Sequence, residues 1–254
     1  SCPGNRPFTW PRSDHISGGC STFWASAITW PPSAKAGSRS APSCSIESRV
    51  KLQMACFIVF EGGDGSGKST QARSLSQRLV RRGIPVLLTR EPGGTPAGES
   101  IRRWLKGQRN FQPMSELLLF EAARAQLVGS VIRPGLDGGT TVICDRYTAS
   151  TVAYQGYGRG LDLSRILQLN EMATGGLVPD LIVLLDLPPQ VGLSRRGAAG
   201  TDPFESAPEE FQQKVRKGYL SQAAQDPERW LVLDGIRPQR ELSREIWAKI
   251  QPLL

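Results

Sequence analysis

The feature that most restricts the fold is the run Phe60-Glu-Gly-Gly-Asp-Gly-Ser-Gly-Lys-Ser-Thr70, which stands between an apolar segment and a helical one. Within it, Gly62-x-x-x-x-Gly67-Lys68-Ser69 has the spacing of a phosphate-binding loop. The preceding Cys56-Phe-Ile-Val-Phe60 is continuously apolar, as in a strand buried on both faces of a parallel sheet. After the loop, Leu75, Leu79 and Val80 fall on a helical spacing, and Arg81, Arg82 and Gly83 supply a basic last turn and a C′ glycine. Glycines let the backbone N–H groups and the helix N-terminus face the charge of a phosphate chain. Lys68 is expected to reach the β- and γ-phosphates, and the Ser69 hydroxyl to ligate Mg²⁺. With Gly63, Asp64, Gly65, Ser66 and Thr70 these residues form the candidate ATP-binding set.

The remainder of the pattern sets the fold class. Strands are predicted over 86–89, 141–144, 181–186 and 230–233, and helices over 98–106, 115–133, 163–174, 209–224 and 239–250. Five strands alternating with helices predict a doubly wound α/β domain, a five-stranded parallel sheet with helices on both faces. Ligands in such sheets bind at the carboxyl ends of the strands, so the loops after Phe60, Thr89, Cys144 and Asp186 are the candidate site. The strongest apolar run, 181–185, is strand-sized, so no membrane-spanning helix is expected.

Charge divides the chain in two. Of the 31 Lys+Arg and 23 Asp+Glu among 254 residues, residues 1–53 hold six basic side chains (Arg6, Arg12, Lys35, Arg39, Arg49, Lys51) and two acidic ones (Asp14, Glu47). They therefore carry half of the formal net charge of +8. They also hold three of the six Trp, three of the five Cys and the one His, with Pro and Gly too frequent for any helical or alternating pattern. Organellar targeting suits their Ser-rich, acid-poor composition, but Pro3, Pro7, Pro11, Pro31 and Pro32 break an amphipathic helix; a secretory h-region at 23–30 is interrupted by Ser and Thr. The expectation is a disordered extension ahead of a domain over 54–254 that starts at Met54. Five Cys with no C-x-x-C pair argue against a disulfide framework or a structural zinc site, and for a reducing, cytoplasmic setting, with organellar import by residues 1–53 the alternative.

A phosphate-binding loop identifies a nucleoside triphosphate but not the reaction. Val142-Ile-Cys-Asp145-Arg146-Tyr147 puts an acid and a base at the end of the third strand, and no Asn-Lys-x-Asp guanine motif occurs. That combination suits a kinase of small acceptors: Asp145 orients Mg²⁺ or its water, and Arg146 holds an acceptor phosphate. Dispersed Lys and Arg give no nucleic-acid-binding stripe.

Five motifs in order make the resemblance specific: 60–70, Thr-Arg-Glu-Pro-Gly-Gly-Thr at 89–95, Phe120-Glu-Ala-Ala-Arg124-Ala-Gln126, Asp145-Arg-Tyr-Thr-Ala-Ser-Thr-Val-Ala-Tyr-Gln-Gly156 and Gly158-Arg-Gly160. From Cys56 onward the chain resembles the bacterial thymidylate kinases, which implies the P-loop kinase fold and transfer of the γ-phosphoryl of ATP to dTMP for dTTP synthesis. The alternatives are another nucleoside monophosphate or deoxynucleoside kinase and, more remotely, a regulatory P-loop ATPase. The resemblance implies that Asp64 lies near the acceptor sugar and the transferring phosphate, that Arg90 and Glu91 set acceptor and metal geometry, and that Arg102 approaches the acceptor phosphate. It implies that Phe120 stacks on thymine and Arg124 hydrogen-bonds the base; four apart on a helix, the two share a face. Arg146, Ser150, Thr151, Tyr154 and Gln155 then line the acceptor site, with Tyr154 beneath the sugar.

Residues 188–209 read as a mobile lid, and with no Arg at the variable positions of the phosphate loop, the resemblance assigns the transition-state arginines to Arg195 and Arg196. Many family members read Asp-Arg-Phe-Glu where this chain has Asp202-Pro203-Phe204-Glu205, so one lid arginine is missing. Members of the family are commonly dimers, which makes a homodimer an expectation here.

Overall fold

The computed structural model describes residues 55–107, 111–196 and 208–254. Its strands are β1 (Phe57–Glu61), β2 (Val86–Arg90), β3 (Thr141–Asp145), β4 (Leu181–Asp186) and β5 (Trp230–Asp234). They form one sheet in the order β2-β3-β1-β4-β5, and every pairing is parallel. Helices α1 (Lys68–Val80), α2 (Pro96–Gly107), α3 (Pro113–Leu127), α4 (Arg133–Asp137), α5 (Thr148–Thr151), α6 (Leu163–Thr174), α7 (Pro189–Arg196), α8 (Glu209–Gln225) and α9 (Gln239–Ile250) connect and flank them.

Alternation along β1 shows why both faces are covered. Phe57 and Val59 join a core with Leu127 of α3 and Val215 and Tyr219 of α8, while Ile58 and Phe60 join a second core with Leu75 and Leu79 of α1 and Leu242 and Ile246 of α9. A strand buried on both sides must read as an unbroken apolar run, and β1 does so until Glu61, which is also buried. The edge strand β2 is partly exposed instead. With β1 central, the loop after it and the loop after β3 open at the same end of the sheet, side by side.

Several local expectations are corrected. The single helix expected over 115–133 is interrupted: α3 ends at Leu127, a π-helical turn covers Val128–Ile132, and α4 starts at Arg133. Pro134 offers no N–H and its ring crowds the carbonyl four residues earlier, so the α-helical ladder cannot run through it. Val80 is 61% exposed although Leu75 and Leu79 are buried, because it is turned about 100° from Leu79 around the helix axis. The segment after Arg146, which has no helical apolar spacing, folds as α5 followed by a π-helical stretch over Val152–Gly158. The first part of the expected lid is the regular helix α7; residues 1–54 and 197–207, including Asp202, Pro203 and Glu205, lie outside the described residues. No helix among the described residues is long and apolar enough to cross a membrane.

Candidate active site

The loop between β1 and α1 takes its path from glycine. Gly62, Gly65 and Gly67 have φ of 136°, 76° and 93°, and a Cβ at Gly62 would stand 2.5 Å from the Leu185 carbonyl oxygen. Gly67 caps α1 in a left-handed conformation, leaving the first N–H groups of the helix to face the loop. Lys68 is buried, and its ammonium donates to the Gly63 carbonyl at 2.8 Å. Burial, followed by the nearby Arg146, lowers its pKa to about 8 against the opposing pull of Asp64 and Asp145. The Ser69 hydroxyl donates to the Asp145 carboxylate, joining the start of α1 to the end of β3.

A cleft of about 650 Å³ follows the loop backbone from Gly65 to Gln71 and is closed on its far side by Arg195 and by Gly235–Gln239, between β5 and α9. Arg195 donates to the Gly235 carbonyl at 2.8 Å, so it belongs to this far wall. Nothing is described of the Arg196 side chain.

On the other side of Asp64 lies a cavity of about 140 Å³, lined by Asp64, Glu91, Arg102, Phe120, Arg124, Arg146, Ser150, Thr151, Tyr154 and Gln155 together with Pro92, Leu105 and Lys106. Of the expected acceptor residues only Arg90 is missing from it. That side chain borders the neighbouring cleft and pairs with Glu99 at 2.9 Å, in a half-exposed contact of small energetic weight. Arg102 reaches the cavity with one guanidinium nitrogen donated to the Pro92 carbonyl at 3.0 Å.

Arg146 is the centre of the cavity wall. It alone among the described non-glycine residues has a positive φ, 74°, a conformation that costs energy and turns the side chain back over the phosphate loop. Its guanidinium donates to Asp64 at 2.5 Å, to the Gly62 carbonyl at 3.2 Å and to the hydroxyls of Ser150, Tyr154 and Tyr219 at 3.1 to 3.3 Å. Burial opposes its charge, but Tyr154 and Asp64 outweigh that and hold its pKa well above normal.

Beneath it, Glu61 accepts from the Tyr147 N–H at 2.8 Å, from the Ser150 hydroxyl at 2.6 Å and from the Tyr219 hydroxyl at 3.0 Å. Burial raises the pKa of this carboxyl despite those donors. Neither Glu61 nor Tyr219 was expected from sequence. The signal for Glu61 was an acid closing an apolar strand; Tyr219 falls in an ordinary helical pattern and gave none.

Arg124 is 1% exposed and spends all five N–H groups on protein acceptors: Glu91, Glu121, Asn170, Thr151 and the Tyr147 carbonyl. A base carbonyl reaching it must share one of these donors, and the Tyr147 bond, at 3.2 Å, is the longest. Desolvation pushes the Glu91 carboxyl up to about 7 against the pull of Arg124. Phe120 is half-buried at the cavity wall one turn before Arg124. Tyr154 donates to Asp64 at 3.3 Å, and Gln155 donates to the buried Glu116 at 2.9 Å.

Comparison with known proteins gives one consistent result. The thymidylate kinase family profile matches residues 60–246. A thymidylate kinase of Dehalococcoides mccartyi is 47% identical over 203 residues, covering 79% of this chain and 98% of the relative. One of Deinococcus radiodurans is 48% identical over 201 residues, covering 78% and 98%. The crystal structure of thymidylate kinase from Ehrlichia chaffeensis, 36% identical, superposes with a TM-score of 0.65 over 78% of this chain and 98% of that one.

Proposed function

The chain belongs to the thymidylate kinase family, and from that premise we propose how its two cavities divide the reaction. The enzyme transfers the γ-phosphoryl of ATP to dTMP, giving dTDP and ADP for dTTP synthesis. The observation that carries the assignment of roles is that Asp64 borders both the cleft along the phosphate loop and the cavity under Arg146. We place ATP in the cleft and dTMP in the cavity, so that the acceptor phosphate meets the γ-phosphate beside Asp64.

In this arrangement an oxygen of the dTMP phosphate attacks the γ-phosphorus in line. The bond from that phosphorus to the β,γ-bridging oxygen breaks, and ADP leaves. No covalent enzyme intermediate is needed, so catalysis is positioning and charge stabilisation. Lys68 and the loop N–H groups hold the β- and γ-phosphates, Arg146 and Arg102 hold the acceptor phosphate, and Glu61 with Ser150 and Tyr219 keeps the Arg146 guanidinium in place. Phe120 supplies the face on which thymine stacks, Arg124, Thr151 and Gln155 meet its polar edge, and Tyr154 packs under the sugar. Arg195, tied to the Gly235 carbonyl, meets the donor on its nucleoside side, in place of the transition-state role expected of it. The Ser69 hydroxyl against the Asp145 carboxylate is a hard oxygen pair that fits Mg²⁺. When bound there, the ion neutralises phosphate charge.

The test is a coupled assay across dTMP, dUMP, CMP, AMP and thymidine. Preference for dTMP is expected; preference for another acceptor overturns the acceptor assignment, and turnover independent of any acceptor indicates a plain ATPase.

We also propose that residues 54–254 are the catalytic domain, that the protein works in the cytoplasm without nucleic-acid or membrane partners, and that two copies pair. Trp104 of α2, Leu118 of α3 and Leu167 of α6 are 59%, 49% and 57% exposed on helices that pack side by side, which supports pairing through that face. Equal activity of the 54–254 fragment and the full chain, and a dimeric mass by light scattering, are the expected results.

A further inference from the structure

We infer that Gln71 is a positioning residue for the base of the donor nucleotide, acting with Ser243 through the wall formed by Gly235–Gln239. The inference rests on placing ATP in the cleft along the phosphate loop. A triphosphate held by that loop has its nucleoside on one of two sides. The space toward Asp145 meets the loop only at Asp64, Lys68 and Ser69, whereas the other cleft follows it from Gly65 through Thr70 to Gln71. The nucleoside therefore lies against Gly235–Gln239, and that segment has to be held at a set distance from α1.

Gln71 is the link. It lies in the first turn of α1, three residues after Lys68, and is 3% exposed. Its Nε2 donates to the Gln239 carbonyl at 3.0 Å, and its Oε1 accepts from the Ser243 hydroxyl at 2.7 Å. The amide orientation is determined by the partners, since a backbone carbonyl only accepts. Both ends of one buried side chain thus tie the phosphate-binding helix to the start of α9, 168 and 172 residues away in sequence. Lys68 and the loop N–H groups do not depend on that tie, because they are placed by β1, the glycines and α1. Losing Gln71 should therefore free the base-side wall and leave the phosphate cradle intact.

The experiment compares full-length wild type, Gln71→Leu and Ser243→Ala by direct binding of ATP and of inorganic tripolyphosphate, a probe with no base, and by steady-state kinetics. For Gln71→Leu, ATP Kd and KM should rise about tenfold, as for a lost buried hydrogen bond, with tripolyphosphate Kd and dTMP KM within about twofold. For Ser243→Ala, which removes one hydroxyl at a half-exposed position, a rise of about threefold in ATP Kd alone is expected and keeps the test valid where Gln71→Leu does not fold. Equal weakening of ATP and tripolyphosphate, or no change in ATP binding, overturns the inference. Because the binding comparison uses no acceptor, a wild type that binds ATP but leaves dTMP unphosphorylated would defeat the acceptor assignment and leave this test standing.

Discussion

The sides of the site proposed for donor and acceptor are built in opposite ways. The donor cradle is one continuous stretch, 62–70, whose work is done by backbone groups that glycine allows to point inward. The acceptor cavity is made of side chains from the loops that follow β1 and β2, from α2 and α3, and from the helical turns after β3, fastened by buried ionic and hydroxyl contacts around Arg146 and Arg124. A backbone cradle is robust to side-chain changes away from its glycines and its lysine. A cavity of converging side chains depends on each partner that orients another.

That contrast can be broken or sharpened by substitution. Lys68→Ala removes the one cationic side chain of the cradle, and kcat/KM should fall about 10³-fold, as for other lost electrostatic stabilisers, with the thermal unfolding midpoint little changed. Arg146→Lys keeps a charge but cannot reproduce the forked contacts to Asp64, Gly62 and the three hydroxyls; dTMP KM should rise on the order of 100-fold while ATP KM moves far less. Equal changes in both constants would erase the proposed division between the two sides.

The pH response should separate them as well. With Lys68 lowered to about 8 in the free enzyme, its positive charge is present below that pH and is lost above it. kcat/KM for ATP, which reports the free enzyme, should be flat below pH 8 and drop about tenfold per unit above it. Lys68→Arg should shift the drop upward; a drop that stays in place would assign it to another group. Phe120→Leu keeps the apolar wall but removes the flat face, and dTMP KM should rise about tenfold or less, the scale of one aromatic contact. Arg90→Ala should have the smallest effect, within about twofold on either substrate, because its pairing with Glu99 is half-exposed.

Legibility in the sequence followed the same division. The phosphate loop needed no tertiary information, since its spacing, its strand and its helix are adjacent in the chain. The acceptor residues were recognisable as separate motifs, but nothing in Phe120-Glu-Ala-Ala-Arg124 says that the arginine is wholly committed to Glu91, Glu121, Asn170, Thr151 and the Tyr147 carbonyl. Glu61 was hidden because a buried acid at the end of an apolar run looks like the start of a loop until its donors, up to 158 residues away, are in place. The helical turns after Arg146 escaped because Thr, Ser, Val and Gly have weak helix propensity, which packing against α8 overrides.

Sequence alone therefore determined the parallel α/β class, the phosphate loop and the family resemblance, because hydrophobic period and glycine spacing act over a few residues. Only the tertiary structure decided that Asp64 is common to both cavities, that Arg146 is held over the loop by Glu61-linked hydroxyls, and that Gln71 reaches the start of α9. Those contacts join residues far apart in the chain, and what holds them is the burial of polar groups that must find partners wherever the fold brings them.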